Sequence, residues 1–201
     1  MRQIPTGPRT YDIAPDVAWQ PPTGLVAKNP GLGAGFRDPS RALLMQDGSW
    51  YVGVGTGFGG ENPKTGLPGS GTGCLAWMKA KNGSLSEFEF VGCLLNNTHT
   101  DGHIDPSTVA WSPEEKVAAF FECPDVFPIG DKGQFVAITS LYNWKAGGYF
   151  VNSYFIGRIV ANNFIVEARG PLDYGQYYAA RTGSVDRQSA SARRVIFSAT
   201  G

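Results

Sequence analysis

Short apolar runs alternate with clusters of Gly, Pro, Asn and Asp along most of this chain. That rhythm, with Val, Ile, Phe, Tyr and Trp filling the runs, is the signature of strands. It predicts strands over residues 42–46, 49–56, 73–79, 87–95, 108–111, 117–121, 134–141, 149–159, 163–168, 177–182 and 193–199. Turn signals separate them: Gln46-Asp47-Gly48, Lys81-Asn82-Gly83, Gly130-Asp131-Lys132-Gly133 and Ala161-Asn162-Asn163. Asn-Gly and Asp-Gly supply the positive φ that tight hairpins need. No stretch holds a 3.6-residue period for three turns, so the chain is all-β and any helix is incidental. Many short strands at close spacing fit a sandwich, a barrel or a propeller. At four strands per blade the chain supplies between two and three propeller blades, although no clean internal repeat marks them. Residues 53–73 are Gly-rich and apolar-poor and read as a long surface loop. Residues 1–30 hold several prolines and read as an extended lead-in segment.

Composition narrows the function classes. Lys and Arg number 17 and Asp and Glu number 17, so the formal net charge is zero. With a pI near 6.7 and scattered basic residues, the chain lacks the basic footprint of a nucleic-acid binder. No apolar run approaches the length of a transmembrane helix, and the start of the chain has no apolar signal-peptide region. Gly (27) and Pro (14) are abundant but follow no G-X-Y period, which excludes collagen. Three cysteines, Cys74, Cys93 and Cys123, form no CxxC pair, so no zinc site is indicated. A Cys74–Cys93 bridge is one open possibility.

Two acidic motifs carry candidate chemistry, Phe36-Arg37-Asp38-Pro39 and Phe121-Glu122-Cys123-Pro124-Asp125. Each sets an acid at a strand edge beside a proline, which biases the preceding residue toward an extended form. Glu122 follows Ala118-Ala119-Phe120-Phe121. Such an apolar setting is expected to raise a carboxyl pKa by desolvation, as a general acid near neutral pH requires. The bland alternative for each acid is a solvated turn residue. Asn82-Gly83-Ser84 and Asn96-Asn97-Thr98 match the N-glycosylation pattern. His99-Thr100-Asp101-Gly102-His103-Ile104-Asp105 has metal-ligand residue types, but no helix aligns its histidines, and it reads as a polar loop. The run Gly53-Val54-Gly55-Thr56-Gly57-Phe58-Gly59-Gly60 lacks the Gly-Lys-Ser/Thr ending of a phosphate loop. Trp77, Trp144 and Tyr142 suit either sugar stacking or a blade core.

Taken together, Arg37-Asp38-Pro39, Glu122-Cys123-Pro124-Asp125 and Leu172-Asp173-Tyr174-Gly175 with Tyr177-Tyr178-Ala179-Ala180 resemble glycoside hydrolase family 32, the invertase, inulinase and levanase group. Ser153-Tyr154-Phe155-Ile156-Gly157 and Arg193-Arg194-Val195-Ile196-Phe197 resemble strands of the same family. The resemblance implies a five-bladed β-propeller and retaining hydrolysis of terminal β-fructofuranosyl units in sucrose or fructans, without a cofactor or metal. By motif, Glu122 is the acid/base and Asp38 the transition-state stabiliser. Arg37, Cys123, Asp125, Asp173 and Tyr174 are implied to contact substrate or shape the pocket. The family's nucleophile motif, Trp-Met-Asn-Asp-Pro-Asn-Gly, has no counterpart in the chain. The expectation is therefore a partial propeller of about three blades over residues 1–201, missing the nucleophile blade. A fructosyl-binding propeller without catalysis is the alternative. A neighbouring propeller family acting on arabinosyl or other furanosyl units is a further one. The resemblance also points to an extracellular or vacuolar setting, with no nucleic-acid or membrane partner.

Overall fold

The computed structural model describes residues 27–31, 35–58, 72–83, 85–96, 120–130, 132–143, 149–172, 177–184 and 194–200. The predicted strand 108–111, residues 117–119, the lead-in up to residue 26 and the His99–His103 loop lie outside them.

Ten strands form three antiparallel sheets. The first holds β1 (Leu43–Leu44), β2 (Trp50–Phe58), β3 (Thr72–Ala80) and β4 (Phe88–Asn96), side by side in chain order. The second holds β5 (Phe120–Ile129), β6 (Gln134–Asn143), β7 (Tyr149–Val160) and β8 (Asn163–Pro171), again in chain order. The third pairs β9 (Tyr177–Ser184) with β10 (Arg194–Thr200). A four-stranded meander that follows the chain is one propeller blade. The described residues thus make two complete blades and two strands of a third, a partial β-propeller. Among them no helix is long and apolar enough to cross a membrane.

Blades stack face to face, and this decides which strands read as continuous apolar runs. Tyr51, Leu75, Trp77, Leu94 and Leu95 of the first blade meet Phe121, Val126, Ala137, Leu141, Phe155 and Phe164 of the second in one core. The other face of the first sheet buries Val54, Cys74, Ala76 and Met78, with Ala27 and Phe36 against them. Phe127 and Ile138 of the second blade pack on Ala180 of β9. β3 and β5 are therefore buried on both faces, whereas β8, last in its sheet, keeps much of its length exposed. Trp77 is wholly buried and stacks on Tyr51 with ring centroids 5.2 Å apart, so it is a core residue. The side chains of Trp144 and Tyr142 lie outside the described residues.

Two expectations need correction. The Gly-rich stretch is not loop from Gly53 onward: residues 53–58 continue β2, and 72–73 begin β3. Its glycines permit close approach between neighbours. A Cβ on Gly55 would stand 2.5 Å from the carbonyl oxygen of Phe121 in the next blade, and one on Gly53 would stand 2.9 Å from Leu75. Residues 59–71 are outside the described set. Second, the strand carrying Glu122 does not stop at Phe121 but runs to Ile129, across Pro124 and Pro128. Proline is tolerated there because β5 is first in its sheet and Pro124 falls in a bulge. The Cys74–Cys93 disulfide, open in the sequence, is present and joins β3 to β4.

Candidate active site

The innermost strands of the three sheets converge. In the first blade that edge begins before β1: Arg37 bridges Gly55 of β2 through two backbone bonds, and the Ser40 amide donates to the Gly53 carbonyl at 2.7 Å. In the second blade it is β5, and in the third β9. Each edge carries one non-glycine residue in the left-handed region: Asp38 at φ 57°, Cys123 at φ 47° and Ala179 at φ 56°. Such a conformation costs roughly 1–3 kcal/mol and persists where surrounding bonds over-determine it. Proline was expected to hold Asp38 and Cys123 extended; it instead closes the right-handed region, and tertiary bonds select the left-handed one.

The bulge at Cys123 sets the direction of the two acids in the second motif. Glu122 pairs with Ser140 and Asp125 with Ile138, so one extra residue is inserted. Residues three apart in a regular strand point to opposite faces; the insertion brings Glu122 and Asp125 to the same side. The Thr139 hydroxyl donates to the Glu122 carbonyl at 2.9 Å and fixes the bulge.

Glu122 is 4% exposed and held at both oxygens. Oε1 takes a hydrogen bond and ion pair from Nη2 of Arg37. Oε2 accepts from the Tyr178 hydroxyl at 2.6 Å. The carboxyl itself is thus faced by a guanidinium and a phenol, although Phe120 and Phe121 beside it are fully buried. Arg37 also lies with its Nε 3.7 Å from Oδ2 of Asp38, so one guanidinium links the two acids. Its planar head rests on the Phe120 ring, 4.5 Å from the centroid. Gly35, at φ 71°, leaves that stack room: a Cβ there would sit 2.5 Å from Nη1 of Arg37 and 2.9 Å from the Phe120 ring. Asp38, partly exposed, is further placed by the Cys123 amide at 3.4 Å and thiol at 3.5 Å, both toward its Oδ2. Burial, then the charge of Asp38, pushes the Cys123 thiol up from its ordinary pKa. Burial likewise drives the Tyr178 phenol far above its usual value, so it stays a donor.

A second set of bonds lies four residues further along the flanking strands. Asp125 is 1% exposed; Oδ1 accepts from Nε of Arg41 at 3.2 Å, and Oδ2 accepts from the Thr182 amide at 2.8 Å and hydroxyl at 2.7 Å. Arg41 also donates to the Thr182 carbonyl. Between the two sets, Arg181 of β9 donates to the carbonyls of Pro124 at 2.7 Å and Pro39 at 3.3 Å.

Four of the seven residues singled out in the sequence, Arg37, Asp38, Glu122 and Cys123, come together. Asp125 is on the same strand, but its carboxylate is used up by Arg41 and Thr182 rather than facing the Glu122 carboxyl. Asp173 and Tyr174 lie outside the described residues. Sequence reasoning missed Tyr178, Arg41, Arg181 and Thr182, whose partners are 55 or more residues away. Only Tyr178 lay inside a quoted motif. Among the described residues no group of three or more His, Cys, Asp and Glu is placed to hold a metal ion.

A sucrose-6-phosphate hydrolase of Zymomonas mobilis is 30% identical over 155 residues, covering 74% of this chain and 26% of the relative. The chain thus spans about a quarter of that protein's length. A glycoside hydrolase family 32 structure from Bifidobacterium adolescentis superposes with a TM-score of 0.55 at 19% identity, covering 85% of this chain and 30% of that one. Fructan 1-exohydrolase IIa from Cichorium intybus gives 0.56 at 20% identity, covering 89% and 30%. At those identities the likeness is one of fold. The family model for the glycosyl hydrolases family 32 N-terminal domain matches residues 10–200, nearly the whole chain. With its inner-strand acids and stacked four-stranded blades, the chain belongs to glycosyl hydrolase family 32 and represents part of that family's N-terminal domain.

Proposed function

We propose that this chain carries the acid/base portion of a retaining glycosidase site for terminal β-fructofuranosyl units of sucrose or fructans. Glu122 protonates the leaving oxygen and then, as carboxylate, draws a proton from the incoming water. Asp38, the more open acid, takes hydrogen bonds from ring hydroxyls as the oxocarbenium-like transition state forms. Arg37 keeps the two carboxyls in fixed relation, and Tyr178 holds the far oxygen of Glu122. Cys123 closes the space between Asp38 and Tyr178 as a neutral thiol. No residue of the chain is assigned as nucleophile, because no Asn-Asp-Pro-Asn segment occurs between residues 1 and 201.

One observation carries the reading: a single guanidinium, stacked on Phe120, touches both acids from two different blades. Unrelated surface acids have no reason to share a stacked arginine between two sheets.

The test is fructose release from sucrose and inulin by the full-length protein and by its Glu122→Gln variant. The variant is expected to lose about 10³-fold in kcat, within the range of general acid–base catalysis, with a modest change in KM. The first-formed anomer, followed by NMR, is expected to keep the β configuration. Unchanged hydrolysis by the variant defeats the acid/base assignment, and an inverted product defeats the retaining route. Fructosyl binding with no hydrolysis by the parent protein would establish the non-catalytic alternative instead.

A further inference from the structure

The β3–β4 hairpin of the first blade carries two features that the acid site does not use. The first is the Cys74–Cys93 disulfide, with Cα atoms 5.8 Å apart and Cys74 wholly buried. Disulfides form and persist in oxidising compartments and are rare in reducing ones. The second is the turn that joins the same strands. Asn82 there is exposed, at φ 52° and ψ 28°, and Gly83 follows at φ 68°. Asn and Gly are the residues that accept the left-handed region at least cost, so this turn forms readily and leaves Asn82 exposed. The sequence from that point, Asn82-Gly83-Ser84, is an acceptor for an N-linked glycan.

The other acceptor sequence, Asn96-Asn97-Thr98, begins in a different setting. Asn96 is paired with Cys74 in the β3–β4 ladder, is half-buried and is engaged by neighbouring groups. A bulky, strongly hydrated oligosaccharide suits an exposed turn and not a ladder position beside a disulfide.

We infer that Asn82 is an N-glycosylation site, that Asn96 is not, and that the protein matures in an oxidising compartment where glycans are added. In the transfer, the Asn82 side-chain nitrogen bonds to the anomeric carbon of a lipid-pyrophosphate-linked oligosaccharide. The amide gives up one proton and the lipid pyrophosphate departs. The glycan would not obstruct the acids. Thr56, next to the Arg37–Gly55 bridge, pairs with Cys74, whereas Tyr51 at the other end of β2 pairs with Lys79, just before the Asn82 turn.

The experiment uses the full-length protein secreted from a eukaryotic host. Peptide N-glycosidase treatment in ¹⁸O water converts an occupied asparagine to labelled aspartate, read by peptide mass spectrometry. The label is expected at residue 82, absent at residue 96, and lost from residue 82 in a Ser84→Ala variant. Alkylation of the denatured, unreduced protein is expected to modify Cys123 and to spare Cys74 and Cys93. An unlabelled residue 82, equal labelling at residue 96, label that survives Ser84→Ala, or alkylation of all three cysteines would each overturn the inference.

Discussion

Two cross-blade sets of the same composition lie side by side: Arg37, Glu122 and Tyr178 in one, Arg41, Asp125 and Thr182 in the other. Each joins an arginine of the first blade, a carboxylate of β5 and a hydroxyl of β9. They differ in how the carboxylate is satisfied. Asp125 receives the fork of Arg41, a hydroxyl and a backbone amide, three of these bonds falling on Oδ2, so it is locked to β9. Glu122 is held by side chains alone, and its arginine also faces the partly exposed Asp38. Residue type therefore does not separate these two acids; the bonds that Asp125 takes from the Thr182 backbone and the second carboxylate beside the Glu122 arginine do.

The largest effect should come from breaking the locked set. Asp125→Ala removes the carboxylate that the buried Thr182 amide and hydroxyl bond to and that the partly exposed Arg41 pairs with, and the loss of two buried hydrogen bonds to a charged group costs about 3 kcal/mol. Denaturant unfolding of the full-length protein measures it. Glu122→Gln, by contrast, should stay within about 1 kcal/mol of the parent in the same assay, because the amide keeps the shape and can still meet Tyr178. Equal losses in both variants would erase the distinction between the two sets.

Gly55→Val tests the joint on which both sets depend. Its Cβ would be forced to 2.5 Å from the Phe121 carbonyl, and overpacking of this kind costs about 1–3 kcal/mol. A variant as stable as the parent would mean that the blades can part without consequence.

Tyr178→Phe sharpens the comparison from the chemical side. Losing one hydrogen bond to Glu122 should cost about 1–2 kcal/mol, as befits a bond to a charged group. It should lower kcat about tenfold while leaving KM nearly unchanged. Thr182→Val, in the locked set, should act on stability with little effect on kcat once the protein is folded.

The smallest effect concerns an exposed ionic cluster away from both sets. Asp47 accepts from the Ser49 amide at 3.0 Å, the Tyr51 hydroxyl at 2.9 Å and Lys79 at 3.1 Å. The Ser49 amide is the main reason its carboxyl sits at about 2, below the ordinary 3.8. A depressed folded pKa means the unfolded state binds the proton more readily. Its contribution is present above about pH 4 and fades as pH falls through about 2. Stability profiles of the parent and Asp47→Asn should differ modestly at pH 5, and the gap should shrink through pH 2. A gap at pH 1 as large as that at pH 5 would exclude this linkage.

Much of the strand order was legible in the sequence because apolar runs and turn residues act locally. The turns at Gly48, at Asn82 and Gly83, at Gly130 and Gly133, and at Asn162 show the positive φ that their residues suggested, whereas Ala161 takes it without such a signal. The acids of the two motifs were legible as candidates. Their environment was not: Arg37 meets Glu122 85 residues away, and Tyr178 meets it from 56. Asp125 looked like a pocket residue because it sits three positions from Glu122 in the same motif. Only the bulge at Cys123 and the approach of β9 show which partners each acid finds.

Residue order alone specifies an all-β chain of meandering hairpins, neutral overall, with acids beside prolines and cysteines able to pair. Those properties follow from side-chain periodicity and turn stereochemistry, which depend on near neighbours. Only the folded arrangement fixes which partners each acid finds, where the strand edge bulges, and that Cys74 joins Cys93. Each of these depends on bringing inner strands from separate sheets, or diagonal ladder positions, within bonding distance, and no local rule encodes that approach.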